Sequence, residues 1–112
     1  MKTAIVILNW NGRKLLEQFL PGVIRHSSQH ATIIVADNAS SDDSIAYIRT
    51  KHPEVKIISN STNEGFAQGY NTALQQVDAE YFLLLNSDVE VTEGWLEPLI
   101  NYLDAHPNTA VC

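Results

Sequence analysis

Four short, continuous apolar runs, each followed by a helically spaced stripe, constrain this chain more than any other feature of its sequence. The runs are Ala4 to Leu8, Thr32 to Ala36, Val55 to Ile58 and Tyr81 to Leu85, each about four or five residues long. Unbroken runs rich in β-branched residues are what strands covered on both faces require. Leu15, Leu16, Phe19, Leu20, Val23 and Ile24 make the first stripe, and Ile45, Ala46 and Ile48 a weaker second one. Phe66, Tyr70, Ala73, Leu74 and Val77 make the third, and Leu96, Leu99, Ile100 and Leu103 the fourth. The order is βαβαβαβα, with a fifth strand expected from Thr109. Such alternation predicts a three-layer α/β/α fold around a mainly parallel sheet with right-handed crossovers.

Local signals refine the helices. Ser40 and Ser41 are expected to cap the second, with Asp42 and Asp43 in its first turn, and Thr92 to cap the fourth with Glu93 behind it. Pro53 and Pro107 follow helices and stop them. Pro98 fits only a first turn, and Pro21 conflicts with the first stripe, where it should kink or end the helix. The 112 residues suffice for one domain, residues 1–112, with a core that needs no disulfide. The strand-like ending at Thr109–Cys112 is expected to be a boundary cut through a larger domain. A cut sheet of this kind exposes apolar surface and favours self-association.

Charge and cysteine narrow the function classes. The formal net charge of −6 opposes a nucleic-acid-binding surface, which would be basic. It leaves open a phosphate site built from backbone N–H groups and a metal ion. The single cysteine, Cys112, excludes an internal disulfide framework and fits a reducing, cytoplasmic setting. The apolar run at Ala4 to Leu8 is too short for a signal-peptide core or a membrane span.

The polar residues fall where a parallel sheet would put a ligand site, at the carboxyl ends of the strands. The first run ends in Asn9-Trp10-Asn11-Gly12, the second in Asp37-Asn38-Ala39-Ser40-Ser41-Asp42, the third in Asn60-Ser61-Thr62-Asn63-Glu64-Gly65 and the fourth in Asn86-Ser87-Asp88. Singly, each is also an ordinary turn or capping sequence. Four in succession on one edge favour a site. A carboxylate such as Asp37 can accept a hydrogen bond from a uracil-like N–H. One such as Asp88 can hold a divalent cation whose remaining ligands are diphosphate oxygens and water. Glycines from Gly65 to Gly69 allow close backbone approach to a ligand. Trp10 is open to two readings, stacking on a base or packing in the core. Trp95 is expected to pack, and His26, His30, His52 and His106 show no metal-ligand spacing. Ser87 has no histidine partner in a nucleophile arrangement.

These segments, in this order, resemble family 2 glycosyltransferases. Ile5 to Gly12 is similar to that family's opening strand and loop, and Val35 to Asp42 to its second-strand signature. Asn63-Glu64-Gly65-Phe66-Ala67-Gln68-Gly69-Tyr70-Asn71 looks like the N-x-G-F-A-x-G-x-N box of the rhamnosyltransferase-like branch. Leu84 to Val89 sits where the family carries its D-x-D metal motif, with Asn86 in place of the first aspartate. The resemblance implies a Rossmann-like GT-A fold and inverting transfer of a sugar from a nucleoside diphosphate to an acceptor hydroxyl, with Mg2+ or Mn2+. It implies that Asn9, Trp10, Asn11, Asp37 and Asn38 face the nucleoside, and that Asn63, Gly65, Phe66 and Gly69 wall the base and diphosphate, with Asn71 beside them. Asn86, Ser87 and Asp88 would face the ribose, diphosphate and metal, with Asp88 as the metal contact. The donor would be UDP- or dTDP-linked, the acceptor a glycan or lipid-linked glycan, and the parent protein peripheral at the inner face of the membrane. The family's general base lies well downstream in its pattern, and nothing here matches it, so this chain is expected to bind nucleotide weakly and not to turn over.

Two other readings stand beside this one. A sugar nucleotidyltransferase would use a Gly-rich basic loop after the first strand, for which Arg13 and Lys14 are a thin substitute. A non-catalytic nucleotide-binding or structural fragment would show the same elements without the chemistry. A dinucleotide-binding oxidoreductase is set aside, because the first loop lacks G-x-G-x-x-G.

Overall fold

A computed structural model describes residues 2–109. Strands β1 (Thr3–Asn9), β2 (Thr32–Asp37), β3 (Lys56–Ser59) and β4 (Tyr81–Asn86) alternate with helices α1 (Arg13–Ser27), α2 (Ser44–Lys51), α3 (Gly65–Leu74) and α4 (Glu97–Ala105). The sheet order is β3-β2-β1-β4 and every pairing is parallel. The fifth strand expected from Thr109 falls on residues outside those described, Thr109 apart.

The continuous apolar runs are explained by burial on both faces. In β1, Ile5 and Ile7 point into a cluster with Leu16, Leu20 and Val23 of α1, Tyr47 and Ile48 of α2, and Ile33 and Val35 of β2. Ala4 and Val6 point the other way, onto Ile34, Ala36 and the α3 residues Tyr70 and Ala73. Each fully buried aliphatic side chain contributes about 1.5–3 kcal/mol relative to exposure. The three-layer expectation holds, with α1 and α2 on one face and α3 on the other. β4 is the exception. Its Phe82 and Leu84 remain 42% and 49% exposed on the α3 side, along a strand that pairs, among the described residues, with β1 alone. α4 closes the N-terminal end of this edge. There Asp104 accepts from Lys2 Nζ (2.8 Å) and from the Tyr81 hydroxyl (2.7 Å).

Several local expectations are corrected. Pro21 lies inside α1, and the helix runs through it to Ser27. Packing of Leu20 and Val23 on the sheet outweighs the one backbone hydrogen bond that proline cannot donate. Ser40 and Ser41 do not cap α2, and Asp42 and Asp43 precede the helix instead of forming its first turn. Asp42 Oδ1 receives the Ser44 N–H (3.0 Å), because the Ser40 hydroxyl is taken by Asp37. Thr92 does not cap α4. The chain turns at Gly94 (φ 75°), buries Leu96, and starts the helix at Glu97 with Pro98 in its first turn. Trp95 packs against the α1–α2 cluster as expected, and its indole N–H donates to Ser27 Oγ at 2.9 Å.

Candidate active site at the carboxyl ends of the strands

Parallel pairing brings Asn9, Asp37, Asn60 and Asn86 to one edge of the sheet. Asn9 lies opposite Asp37, and Leu8 opposite Asn86, so the ends of β2 and β4 flank that of β1. At ordinary strand spacing they stand about 10 Å apart. This edge is where open α/β sheets bind ligands.

The polar residues on it divide into those turned inward and those presented. Asp37 is 1% exposed. Its Oδ1 accepts from Asn9 Nδ2 (2.9 Å) and Ser40 Oγ (2.7 Å), and its Oδ2 from the Ser40 N–H (2.9 Å). The carboxylate therefore ties the β1 and β2 loops together, and Oδ2, with one donor, keeps accepting capacity. Asn11 holds a left-handed conformation (φ 49°) and works as a clip between the same loops. Its N–H donates to Ser40 Oγ (2.9 Å), and its Oδ1 receives the N–H groups of Ser41 (2.7 Å) and Asp42 (3.2 Å). Trp10 projects from this loop, 57% exposed, so of its two readings core packing is excluded.

Asn38 is also 1% exposed and faces the protein. Its Nδ2 donates to Asn63 Oδ1 (3.1 Å) and to the Gly65 carbonyl (3.0 Å), which holds the turn before α3. Gly65 starts that helix at φ 79°, a conformation that favours glycine. Gly69 is buried, and its close approach is to the sheet. A Cβ there would lie 2.8 Å from Asn38 Nδ2 and 2.9 Å from Leu8 Cδ1. Phe66 shares the helix face of Tyr70 and Ala73 but lies beyond the strand ends, 63% exposed and edge-on to Tyr70 at 5.0 Å. Asn71 is not brought together with the others. Successive residues turn by about 100° on a helix, so it points away from the buried face set by Gly69, Tyr70 and Ala73.

Asn86 and Asp88 are exposed, with Ser87 between them half-buried. Among the described residues Asp88 carries no hydrogen bond or ion pair, and no group of three or more His, Cys, Asp or Glu side chains is placed to hold a metal. One free carboxylate beside an amide oxygen fits a hard cation held mostly by the ligand's own oxygens and water. The loop residues on this edge, 9–12, 37–43, 60–64 and 87–89, contain five acidic side chains (Asp37, Asp42, Asp43, Glu64 and Asp88) and no Lys or Arg. Arg13, the first residue of α1, is spent on the protein. Its guanidinium bonds Asp43, reaches Glu17 at 3.4 Å and covers the Tyr47 ring at 4.5 Å.

Three residues that sequence reasoning did not place in the site organise it. By sequence Ser40 has the signature of a helix cap, and Asn60 is one member of a polar stretch. Tyr70 falls on the apolar stripe of the third helix and has the signature of a core residue. Its hydroxyl donates to the Leu85 carbonyl (2.9 Å) and lies 3.4 Å from the Leu8 N–H, joining α3 to the ends of β1 and β4. Burial pushes its phenol above the ordinary value, which keeps it a neutral donor. Tyr70→Phe is expected to cost about 1–2 kcal/mol in urea denaturation by leaving these backbone groups unpaired. A loss below a few tenths would show that the bridge is unimportant.

Comparison with known proteins agrees with this architecture. The sequence matches the family described as glycosyl transferase family 2 over residues 4–112. A Haemophilus influenzae protein named only as an uncharacterized glycosyltransferase is 24% identical over 104 residues, covering 90% of this chain and 32% of that protein. The structure of S. aureus TarS 1–349 in complex with UDP-GlcNAc superimposes with a TM-score of 0.82 at 21% identity, covering 96% of this chain and 32% of that one. The mannosyltransferase PcManGT from Pyrobaculum calidifontis, in complex with GDP-Man and Mn2+, gives 0.80 at 20% identity, covering 91% and 32%. The chain thus spans about a third of the length of these relatives. Its fold is that of the GT-A glycosyltransferases, and with the family match extending from the first strand to the last residue, the chain belongs to glycosyl transferase family 2.

Proposed function

We propose that this chain is the donor-binding part of an inverting glycosyltransferase, taking a UDP- or dTDP-linked sugar in the cleft over the ends of β1, β2 and β4. One observation carries the reading: a parallel-sheet edge with a free carboxylate at Asp88, surrounded by acidic loops that lack any Lys or Arg. A diphosphate cannot dock on such an edge without a counter-charge. Asp88, assisted by Asn86, would hold Mg2+ or Mn2+, which neutralises charge on the leaving diphosphate. Trp10 and Phe66, the exposed aromatics of the edge, supply flat surface for the nucleoside. Asp37 Oδ2 is the acceptor nearest to hand for a base N–H, reached once the Ala39–Ser40 turn moves aside. The acceptor is a glycan or lipid-linked glycan. No carboxylate of this chain is assigned as the base that takes the acceptor's proton, so binding without turnover is expected of it.

The nucleotidyltransferase alternative loses support from Arg13, whose pairing with Asp43 and Glu17 leaves no basic loop after β1. Among the described residues no helix is long and apolar enough to cross a membrane, which is compatible with a peripheral protein. The uncovered apolar side of β4 suits self-association of the chain.

Titration calorimetry with UDP tests the reading. Binding is expected with Mn2+ and not with EDTA. Asp88→Ala should weaken it about tenfold or more, without a change in thermal stability, since that side chain is exposed and unpaired. Folded protein that ignores UDP in the presence of Mn2+ would favour the structural-fragment reading. Turnover of a sugar nucleotide with release of pyrophosphate would favour nucleotidyl transfer.

A further inference from the structure

Asn60 follows β3 and is 5% exposed, a costly place for a carboxamide unless its hydrogen bonds are used. Its Nδ2 donates to Asn38 Oδ1 at 2.9 Å and to the Gly69 carbonyl at 3.3 Å. Its backbone N–H donates to the Asp37 carbonyl at 2.7 Å. Asn38 Nδ2 in turn reaches the Gly65 carbonyl and Asn63 Oδ1. The two amides form a relay with a carbonyl at each end, Gly69 O and Gly65 O. A carbonyl can only accept, so both amide groups are fixed in one orientation. Those carbonyls lie one turn apart at the start of α3. The relay therefore pins the first turn of α3, and with it the Phe66 ring, to the ends of β2 and β3.

We propose that Asn60 is a positioning residue for the nucleotide. It orients the Asn38 amide, and Asn38 sets the height and angle of the Asn63–Phe66 turn against the cleft. The inference rests on the donor-site reading above, but its structural half stands apart from it. Asn60 Oδ1 is buried with no partner among the described residues, and the contacts of the side chain are those of its donor end. Removing that donor should free the turn, not merely weaken the core.

The test compares Asn60→Ala with Val23→Ala, a core truncation in α1 that lies on the other face of the sheet from α3. Hydrogen exchange without ligand comes first. Asn60→Ala is expected to speed exchange at residues 64–69 selectively, whereas Val23→Ala should leave that segment as in wild type. UDP affinity with Mg2+ follows, below the unfolding transition of both variants. Asn60→Ala is expected to bind about tenfold more weakly than wild type, and Val23→Ala within about twofold. Equal affinities for the two variants, or unchanged exchange at residues 64–69, would overturn the proposal. If Asn60→Ala does not fold, the wild-type side-chain NH2 resonances of Asn38 and Asn60 carry the test. They should shift when UDP and Mg2+ are added, and silence there while Phe66 responds would overturn it. Failure of wild type to bind UDP at all would count against the donor site, and the exchange result would still judge the relay.

Discussion

Asp37→Ala is expected to remove about 3 kcal/mol or more of folding stability, enough to unfold much of a small domain whose total is about 5–15 kcal/mol. Three donors converge on this carboxylate, Asn9 Nδ2, Ser40 N–H and Ser40 Oγ, and it is sealed from water at 1% exposure. Truncation leaves the Ser40 N–H without its acceptor and releases Ser40, whose hydroxyl also receives the Asn11 N–H. Asn11 then loses one of the contacts that hold it at positive φ, and the loops after β1 and β2 come apart together. Asp37→Asn keeps the volume and one acceptor oxygen, and should cost less than half as much. Urea denaturation followed by circular dichroism measures both. A loss below about 1 kcal/mol for Asp37→Ala would mean that the loops are held by something other than this carboxylate.

Gly69→Ala is expected to destabilise by about 1–3 kcal/mol, although alanine is the better helix former. The added methyl would sit 2.9 Å from Leu8 Cδ1 and 2.8 Å from Asn38 Nδ2. Leu8 can rotate, but Asn38 is held on both sides by Asn60 and Gly65. Relief must come from α3 lifting off the sheet or from breaking the amide relay. Gly22 in α1 is the control. A Cβ there meets nothing within 4 Å, so Gly22→Ala should stabilise by about 0.5–1 kcal/mol. Opposite signs for the two substitutions in the same denaturation assay support the packing argument. Equal signs would refute it.

The layers and the parallel sheet were legible because strands buried on both faces must be apolar without interruption, as Ala4 to Leu8 is, and helices between them must be amphipathic. The edge that bears the candidate site followed from that, since the polar residues stand at the strand ends. What sequence could not supply was direction. Asn38 and Gly69 have the composition of ligand contacts, yet both face the protein, because α3 packs so closely on β1 that it leaves room for an amide relay and not for a side chain at Gly69. Asn71 belongs to the same motif but falls on the outer side of the helix. The serines before α2 escape the capping role for a competing reason. A short hydroxyl bonds to whichever backbone or carboxylate lies nearest, and for Ser40 that is Asp37. Residue type announced a polar edge, and packing decides which of its members face the protein and which are presented outward.

The central claim, that the ends of these parallel strands form one cleft with a metal–diphosphate site at Asp88, is tested most directly by paramagnetic broadening. Amide spectra of the chain would be recorded with UDP and a small fraction of Mn2+. Broadening centred on Asn86 to Val89 and reaching Asn9 to Asn11 across the neighbouring strand is the result expected. Broadening centred instead on Asp42 and Asp43, or on Asp104 at the far end of the sheet, would contradict the account.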